Sequence, residues 1–264
     1  MIGLIPAAGQ ARRVEPLPCS KELYPVGFYP MNGEDGLRPK VVSHYLLEKM
    51  KLAGIERAFI VLRNGKWDIP AYWGDGELIG MHLGYLLMRV PFGPPYTLDQ
   101  AYPFLDEALV AFGFPDILFQ PDDVFIQLLA SQAVTRADVV LGLFTAHDSQ
   151  QMDMVDIDET GKLRGIFLKP NRSLLHYAWI CAIWTPKFTE FMHEYLANVL
   201  KEALGNVTER PQQELTVGNV FQAAIEHGLR VYGVQFPNGK YLDIGTPHGL
   251  VRAMRTLNEG LPAR

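Results

Sequence analysis

The chain has 264 residues, 48% of them hydrophobic and 20% charged, with a net charge of −5 at pH 7. This length fits one large α/β domain, or a domain with a small appendage, and a sizeable core, and the acidic balance argues against a broad nucleic-acid-binding surface. The two cysteines, Cys19 and Cys181, lie far apart without metal-ligand spacing, so reduced thiols in a cytoplasmic protein are expected. The first residues read directly as strand, so no secretory leader is expected. No apolar run is long enough to span a membrane.

In chain order, Ile2-Gly3-Leu4-Ile5 reads as a buried strand. A small-residue turn follows, Pro6-Ala7-Ala8-Gly9-Gln10-Ala11, then Arg12-Arg13 and, past a proline-punctuated loop, Lys21. Small residues after a strand let backbone approach a ligand closely, and N–H groups exposed there suit a phosphate. Arg13 and Lys21 can bring positive charge to the same anion. An ordinary strand–loop connection with solvated basic residues has the same local pattern. Residues 27–36 read as a loop rich in turn formers. A helix is expected over 41–53, with Val42, Leu46, Met50 and Ala53 as its apolar stripe and Gly54 closing it.

Residues 58–62 read as a buried strand ended by Asn64-Gly65, and another strand runs to about 88. A Pro/Gly-rich loop over 91–96 precedes Thr97-Leu98-Asp99-Gln100, which has the form of a capping box opening a helix to about 106. Strands are expected over 109–114, 138–144, 177–184 and 230–236, and helices over 125–133 and 188–203. Glu159-Thr160-Gly161-Lys162 reads as a hairpin turn between strands 154–158 and 163–168. Residues 205–211 read as a loop, a helix ends near His227 with Gly228 closing it, and Thr246-Pro247 opens the last helix. Strands alternating with helices imply an α/β fold: a Rossmann-like mixed, mostly parallel sheet with helices on both faces and a small antiparallel β addition. No internal repeat and no clear linker divides it, so residues 1–264 are expected to form a single domain.

Two carboxylates stand out. Asp116 follows an apolar strand, where ligands bind in open α/β sheets, and Asp243 lies just before a helix start. Two such aspartates meeting at a sheet edge can serve a hard cation, which takes one or two carboxylates plus substrate phosphates. A strand-end turn for Asp116, and a hairpin or helix-start aspartate for Asp243, are the plainer readings of the same residues. Asp122-Asp123 reads as a helix N-terminus. The seven histidines are scattered, and no elbow or Cys–His pattern invites covalent catalysis.

The spelling of the first segment resembles the signature of the sugar-nucleotidyltransferases, the family that includes glucose-1-phosphate thymidylyltransferase: a strand, L-A-G-G-x-G-T-R, a spacer, then P-K-x-x-x-P-[VI]. Residues 6–13 and 20–26 cover its two halves; Gly9, Arg13, Lys21 and Pro25 are kept, while Ala8, Ala11 and Arg12 depart from it. Phe114-Pro115-Asp116-Ile117-Leu118-Phe119 resembles the family's L-G-D-N-I-F, and Leu242-Asp243-Ile244-Gly245-Thr246 its L-D-T-G-T. Lys169-Pro170 resembles E-K-P, with Leu168 in place of the glutamate that helps bind sugar. Thr97 to Ala101 stands where the family has G-L-A-Q-A, so Gln100 fits either a helix cap or a base contact. Cys181 or Ala182 stands near the place of a sugar-contacting glycine, and the segment around Glu214 and Thr216 matches a further sugar-end motif loosely.

The resemblance implies a nucleotide half (1–135) and a sugar-phosphate half (136–264). It implies Ala7, Ala8, Gly9, Gln10 and Gln100 at the nucleotide, Arg13 and Lys21 as catalytic cations, Lys169 and Asp116 at the substrate, and Asp116 and Asp243 as ligands of Mg²⁺. The implied reaction joins a sugar 1-phosphate to a nucleoside triphosphate, dTTP or UTP favoured, with release of pyrophosphate. A sensing paralogue without turnover, and a transferase for a non-sugar phosphate, are the other readings. Neither nucleic acid nor membrane is an expected partner; a homo-oligomer is allowed.

Overall fold

A computed structural model describes residues 1–30, 36–89, 92–205 and 214–257. In chain order the elements are β1 (Ile2–Ala7), β2 (Pro25–Pro30), β3 (Leu37–Val41), α1 (Val42–Leu52), β4 (Arg57–Leu62), α2 (Asp68–Trp73), β5 (His82–Leu87), α3 (Pro94–Asp99), α4 (Tyr102–Leu105), β6 (Val110–Gly113), β7 (Ile117–Gln120), α5 (Val124–Thr135), β8 (Val139–Thr145), β9 (Met154–Ile157), β10 (Leu163–Phe167), β11 (Tyr177–Trp184), α6 (Pro186–Gly205), α7 (Val217–Glu226), β12 (Val231–Phe236), β13 (Lys240–Asp243) and α8 (Pro247–Thr256).

Nine strands form one sheet in the order β10-β9-β11-β6-β1-β4-β5, with β8 pairing β11 and β12. β6, β1, β4 and β5 are parallel to one another, as are β8 and β12, while β11 runs antiparallel to β6, β8 and β9. β10 pairs antiparallel with β9, so within this sheet only β10 and β11 run against the rest. The buried strands read as near-continuous apolar runs because helices cover both faces. Leu46, Leu47 and Met50 of α1, Ile69 and Trp73 of α2 and Phe125 and Leu128 of α5 share one core. Leu98 of α3, Phe188 and Met192 of α6 and Val220 and Phe221 of α7 share the other. Along β1 the alternation is direct: Leu4 belongs to one core and Ile5 to the other. Trp184 and Phe188 anchor the second core, and the Trp184 indole N–H donates to Thr189 Oγ1 at 3.0 Å. Truncating either to Ala should cost about 3–5 kcal/mol.

Several local expectations are corrected. Of the loop expected over 27–36, residues 27–30 belong to β2, which pairs with β3 as an antiparallel ribbon with Tyr29 opposite Arg38, because Val26, Phe28 and Tyr29 favour a pleated strand over a turn; residues 31–35 lie outside the described residues. α3 begins at Pro94, three residues before the expected cap. Gly93 precedes it, and two prolines occupy its first positions, where a missing N–H is no loss. Thr97 is therefore inside the helix, its N–H donating to the Gly93 carbonyl at 3.4 Å, so there is no capping box at 97–100. The expected helix to 106 is two pieces, α3 and the single turn α4, with Pro103 at the start of the second. Asp123 is the N-cap residue of α5 but makes no side-chain cap bond, and Asp122 pairs with Lys49. The expected loop at 205–211 lies, past Gly205 at the end of α6, outside the described residues. The Thr246-Pro247 helix start is as expected, with Thr246 Oγ1 accepting from Gly249 N–H at 3.1 Å.

Candidate active site

β1, β4 and β6 are parallel neighbours, so their carboxyl ends emerge at one edge of the sheet. The loop leaving β1 folds over that edge. Ala11 adopts φ +56°, a left-handed conformation that glycine would take freely. A Cβ built on Gly9 would lie 3.6 Å from Lys21 Nζ, so the loop backbone and the lysine ammonium face each other. Lys21 opens a short 3₁₀ turn, Lys21–Leu23, whose start is pinned. The Ser20 N–H and hydroxyl donate to the two Asp68 carboxylate oxygens at 2.6 and 2.7 Å.

Lys21 forms an ion pair with Asp116. Asp116 ends the segment between β6 and β7, and β7 pairs with β13 in a two-stranded antiparallel sheet, Ile117 opposite Asp243. This ladder puts Asp243 beside Asp116. Gly245 shows the convergence: a Cβ there would lie 2.9 Å from Asp243 Oδ1, 3.2 Å from Arg13 Nη2 and 3.4 Å from Asp116 Oδ2. Three functional groups thus ring a space left open by a missing side chain. Arg13 Nη2 is 3.9 Å from Asp243 Oδ2, and its side chain is 67% exposed, free to reach outward to an anion. Burial and the neighbouring Asp116 charge push the Asp243 carboxyl above the usual aspartate range; the Gly245 N–H, Arg13 and Lys21 hold it back. Burial pulls the Lys21 ammonium down, but Asp116 and Glu22 outweigh it and leave it above its ordinary value.

Among the described residues no group of three or more His, Cys, Asp or Glu side chains could hold a metal alone. Two carboxylates around an open space, with phosphates completing the shell, fit the oxygen-ligand preference of Mg²⁺.

The residues around Lys169 lie where β11 changes partners. Cys181 to Trp184 pair with β6, whereas Tyr177 and Ala178 pair with β9. Between them, β6 has turned away into Phe114-Pro115-Asp116, and the Phe114 ring sits 6.0 Å from that of Trp179. Asp153, just before β9, comes to the same place: burial raises its carboxyl pKa, opposed by Lys169 and by the Trp179 indole. Lys169 holds a left-handed backbone, φ +39°. Leu168 is 40% exposed and supplies no carboxylate; Asp153 does, and its side chain and that of Leu168 meet beside Gly218. Sequence reasoning missed Asp153, although a lysine whose preceding glutamate had been lost was a reason to look for another acid nearby.

Of the site residues named from sequence, Gly9, Arg13, Lys21, Asp116 and Asp243 come together, and Gln10 lines a cavity with Gly9 and Lys21. Ala7 is buried at the end of β1 and Ala8 follows it half-buried, so Ala7 presents backbone only. Lys169 joins Asp153 instead. Gln100 donates to the Tyr96 carbonyl at 3.2 Å within its own helix; among the described residues no hydrogen bond links it to the cluster. Cys181 and Ala182 are wholly buried in β11, so neither side chain reaches a ligand. Thr216 caps α7 reciprocally with Asn219. The buried pair Glu22–Lys66 behind Lys21 was also missed, since nothing in a spacing of 44 residues announces it.

The sequence model described as nucleotidyl transferase matches residues 2–260. A glucose-1-phosphate thymidylyltransferase of Streptomyces antibioticus is 21% identical over 267 residues, covering all of this chain and 68% of the relative. Among solved structures, a UDP-glucose pyrophosphorylase complexed with UDP-glucose superposes with a TM-score of 0.77 at 17% identity, covering 98% of this chain and 99% of the other. An inositol-1-phosphate CTP transferase from T. maritima gives 0.71 at 16%, covering 99% and 98%. At these identities the structural likeness shows the fold alone.

Proposed function

The chain belongs to the nucleotidyl transferase family, and from that premise we propose that it joins a sugar 1-phosphate to a nucleoside triphosphate, dTTP or UTP by preference, releasing pyrophosphate. The convergence of Arg13, Lys21, Asp116 and Asp243 around Gly245 carries this reading. An oxygen of the acceptor phosphate attacks the α-phosphorus, an O–P bond forms, and the bond to the β-phosphate oxygen breaks. A phosphate monoester has a second pKa near ~6, so the nucleophile is already ionised and needs no general base. The work left to the protein is alignment of two anions and neutralisation of charge. Lys21, fixed by the Ser20–Asp68 clamp and by Asp116, would face the α-phosphate; Arg13 would swing onto the triphosphate; Lys169 and Asp153 would orient the acceptor. Asp116 and Asp243 would hold Mg²⁺, which when bound neutralises phosphate charge and aligns the reacting oxygens.

One observation favours a neighbouring reading. Leu168 removes a carboxylate from the acceptor wall and Asp153 returns one from the segment just before β9, a change of donor geometry that suits a non-sugar phosphate equally well. The experiment is pyrophosphate release with dTTP, UTP, CTP, ATP and GTP against sugar 1-phosphates and alcohol phosphates, with and without EDTA. Release that needs one triphosphate, one acceptor and a divalent cation supports the reading and names the substrates. Tight nucleotide binding with no release across the whole panel would replace it by a sensor.

A further inference from the structure

A cavity of about 260 Å³ opens beside the loop that leaves β1, lined by Gly9, Gln10, Ala11, Lys21, Arg63 and Lys66 among others. Its far wall is the turn that leaves β4. β1 and β4 are in parallel register, Ala7 opposite Leu62, so the two turns stand side by side at the same sheet edge. Arg63-Asn64-Gly65-Lys66 is closed by the Lys66 N–H donating to the Arg63 carbonyl at 3.3 Å, and Gly65 takes φ +95°. A positive φ at the third position of such a turn is what glycine supplies, and the turn brings both basic side chains to the cavity.

We infer that this cavity receives the terminal phosphates of the triphosphate, and that Arg63 and Lys66, the latter positioned by Glu22, are binding cations outside the family's N-terminal signature; the inference rests on the reading of the site given above. Lys66 is only 9% exposed and Glu22 only 2%. Lys66 Nζ lies 2.7 Å from both Glu22 oxygens, which leaves at least one of its N–H groups for a ligand. A buried ion pair is weak support for stability, because desolvation offsets its attraction; here it holds an ammonium at a cavity wall. Arg63 has no ion-pair partner among the described residues, so its charge is available. Lys21 is already committed to Asp116. Of the charged residues that line the cavity, three are cations and one, the exposed Glu15, is an acid. Such a lining suits the multiply charged end of a triphosphate.

The test is calorimetric titration of metal-free protein with tripolyphosphate, for the wild type, Lys66→Met, Arg63→Gln, Glu22→Gln and the rescue variant Lys66→Arg, each first checked for folding by circular dichroism. Losing one charge-assisted contact should weaken binding about tenfold or more in Lys66→Met and Arg63→Gln, with partial recovery in Lys66→Arg. In turnover assays the same variants, and Glu22→Gln, should raise the KM for the triphosphate while that for the acceptor stays put. Absence of wild-type binding, or unchanged tripolyphosphate affinity in folded Arg63→Gln and Lys66→Met, overturns the inference. Because Arg63 sits on a surface turn, its variant decides the matter even if Lys66→Met does not fold. A wild type that binds tripolyphosphate through these residues yet never releases pyrophosphate would sink the proposed reaction and leave this site standing.

Discussion

The Ile244 N–H donates to the Asp116 carbonyl at 3.0 Å, one step beyond the β7–β13 ladder. That bond fixes Asp243, the residue before Ile244, against Asp116 by backbone alone. The backbone positions of the two aspartates therefore do not depend on the charges their side chains carry. Asp116→Asn should keep the fold and lower kcat by on the order of 10²–10³-fold, the scale of losing one preorganised electrostatic group. Unfolding and steady-state kinetics on the same preparation check this; a kcat within threefold of wild type would remove Asp116 from the chemistry.

Gly245→Ala places a methyl group where Arg13, Asp116 and Asp243 converge, 2.9 Å from the nearest carboxylate oxygen. The backbone there is not left-handed, so the cost falls on the site. A Tm within about 3 °C of wild type, with turnover reduced by about tenfold or more, is the expected pair of results. Full activity would show that the space at Gly245 is not used.

Ala11→Gly should stabilise the protein. The left-handed conformation costs a non-glycine residue about 1–2 kcal/mol, and the added freedom of the unfolded chain takes back about 0.4–1 kcal/mol. Urea unfolding should show a small net gain with unchanged m-value; a loss would mean that the alanine methyl packs better than its backbone suffers.

Asp68→Ala removes both acceptors for the Ser20 N–H and hydroxyl. Hydrogen bonds to a charged group are worth about 1.5–3 kcal/mol each, but Asp68 is partly exposed, so a stability loss near the lower end is expected. The KM for the triphosphate should rise, because Lys21 loses its anchored start. Kinetics that match wild type would show that the Asp116 pair alone positions Lys21.

Asp153 has its carboxyl pKa raised, chiefly by burial. A group raised in the folded state favours folding below its unfolded pKa, and that contribution is lost as pH rises through the folded value. The loss begins near pH 4 and continues upward. Asp153→Asn lacks this titration, so its stability relative to wild type should improve between pH 4 and pH 7. Parallel urea titrations at the two pH values test this, and an unchanged difference would place the carboxylate in a more solvated setting.

The cations of the first loop were legible in the sequence because a strand, a small-residue turn and two basic residues are local features. Asp116 and Asp243 stood out by their neighbours, but the ladder that joins them did not. β7 and β13 have four residues each, too few for a periodicity to declare itself, and their pairing is set by the distant parts of the fold. α3 was misplaced because a Thr-x-x-Gln spelling competed with two prolines that mark the true start. Glu22 with Lys66, and Asp153 with Lys169, escaped because each pair is made by tertiary packing between segments whose own sequences are unremarkable.

β11 serves two customers along one edge: its later residues hold β6, and its first two hold β9. Among the described residues, the wall that carries Asp153 is fastened to β11 by two register pairs, Tyr177 with Val155 and Ala178 with Met154, and the hairpin turn beyond it is tied to β12 by a single bridge, Lys162 opposite Tyr232. The cluster of Arg13, Lys21 and Asp116, by contrast, is carried by the segments that leave the central strands β1 and β6. Mutational drift can exchange residues of the peripheral hairpin without unseating that cluster, so under the proposed reaction acceptor choice is free to diverge while the transfer step stays under constraint.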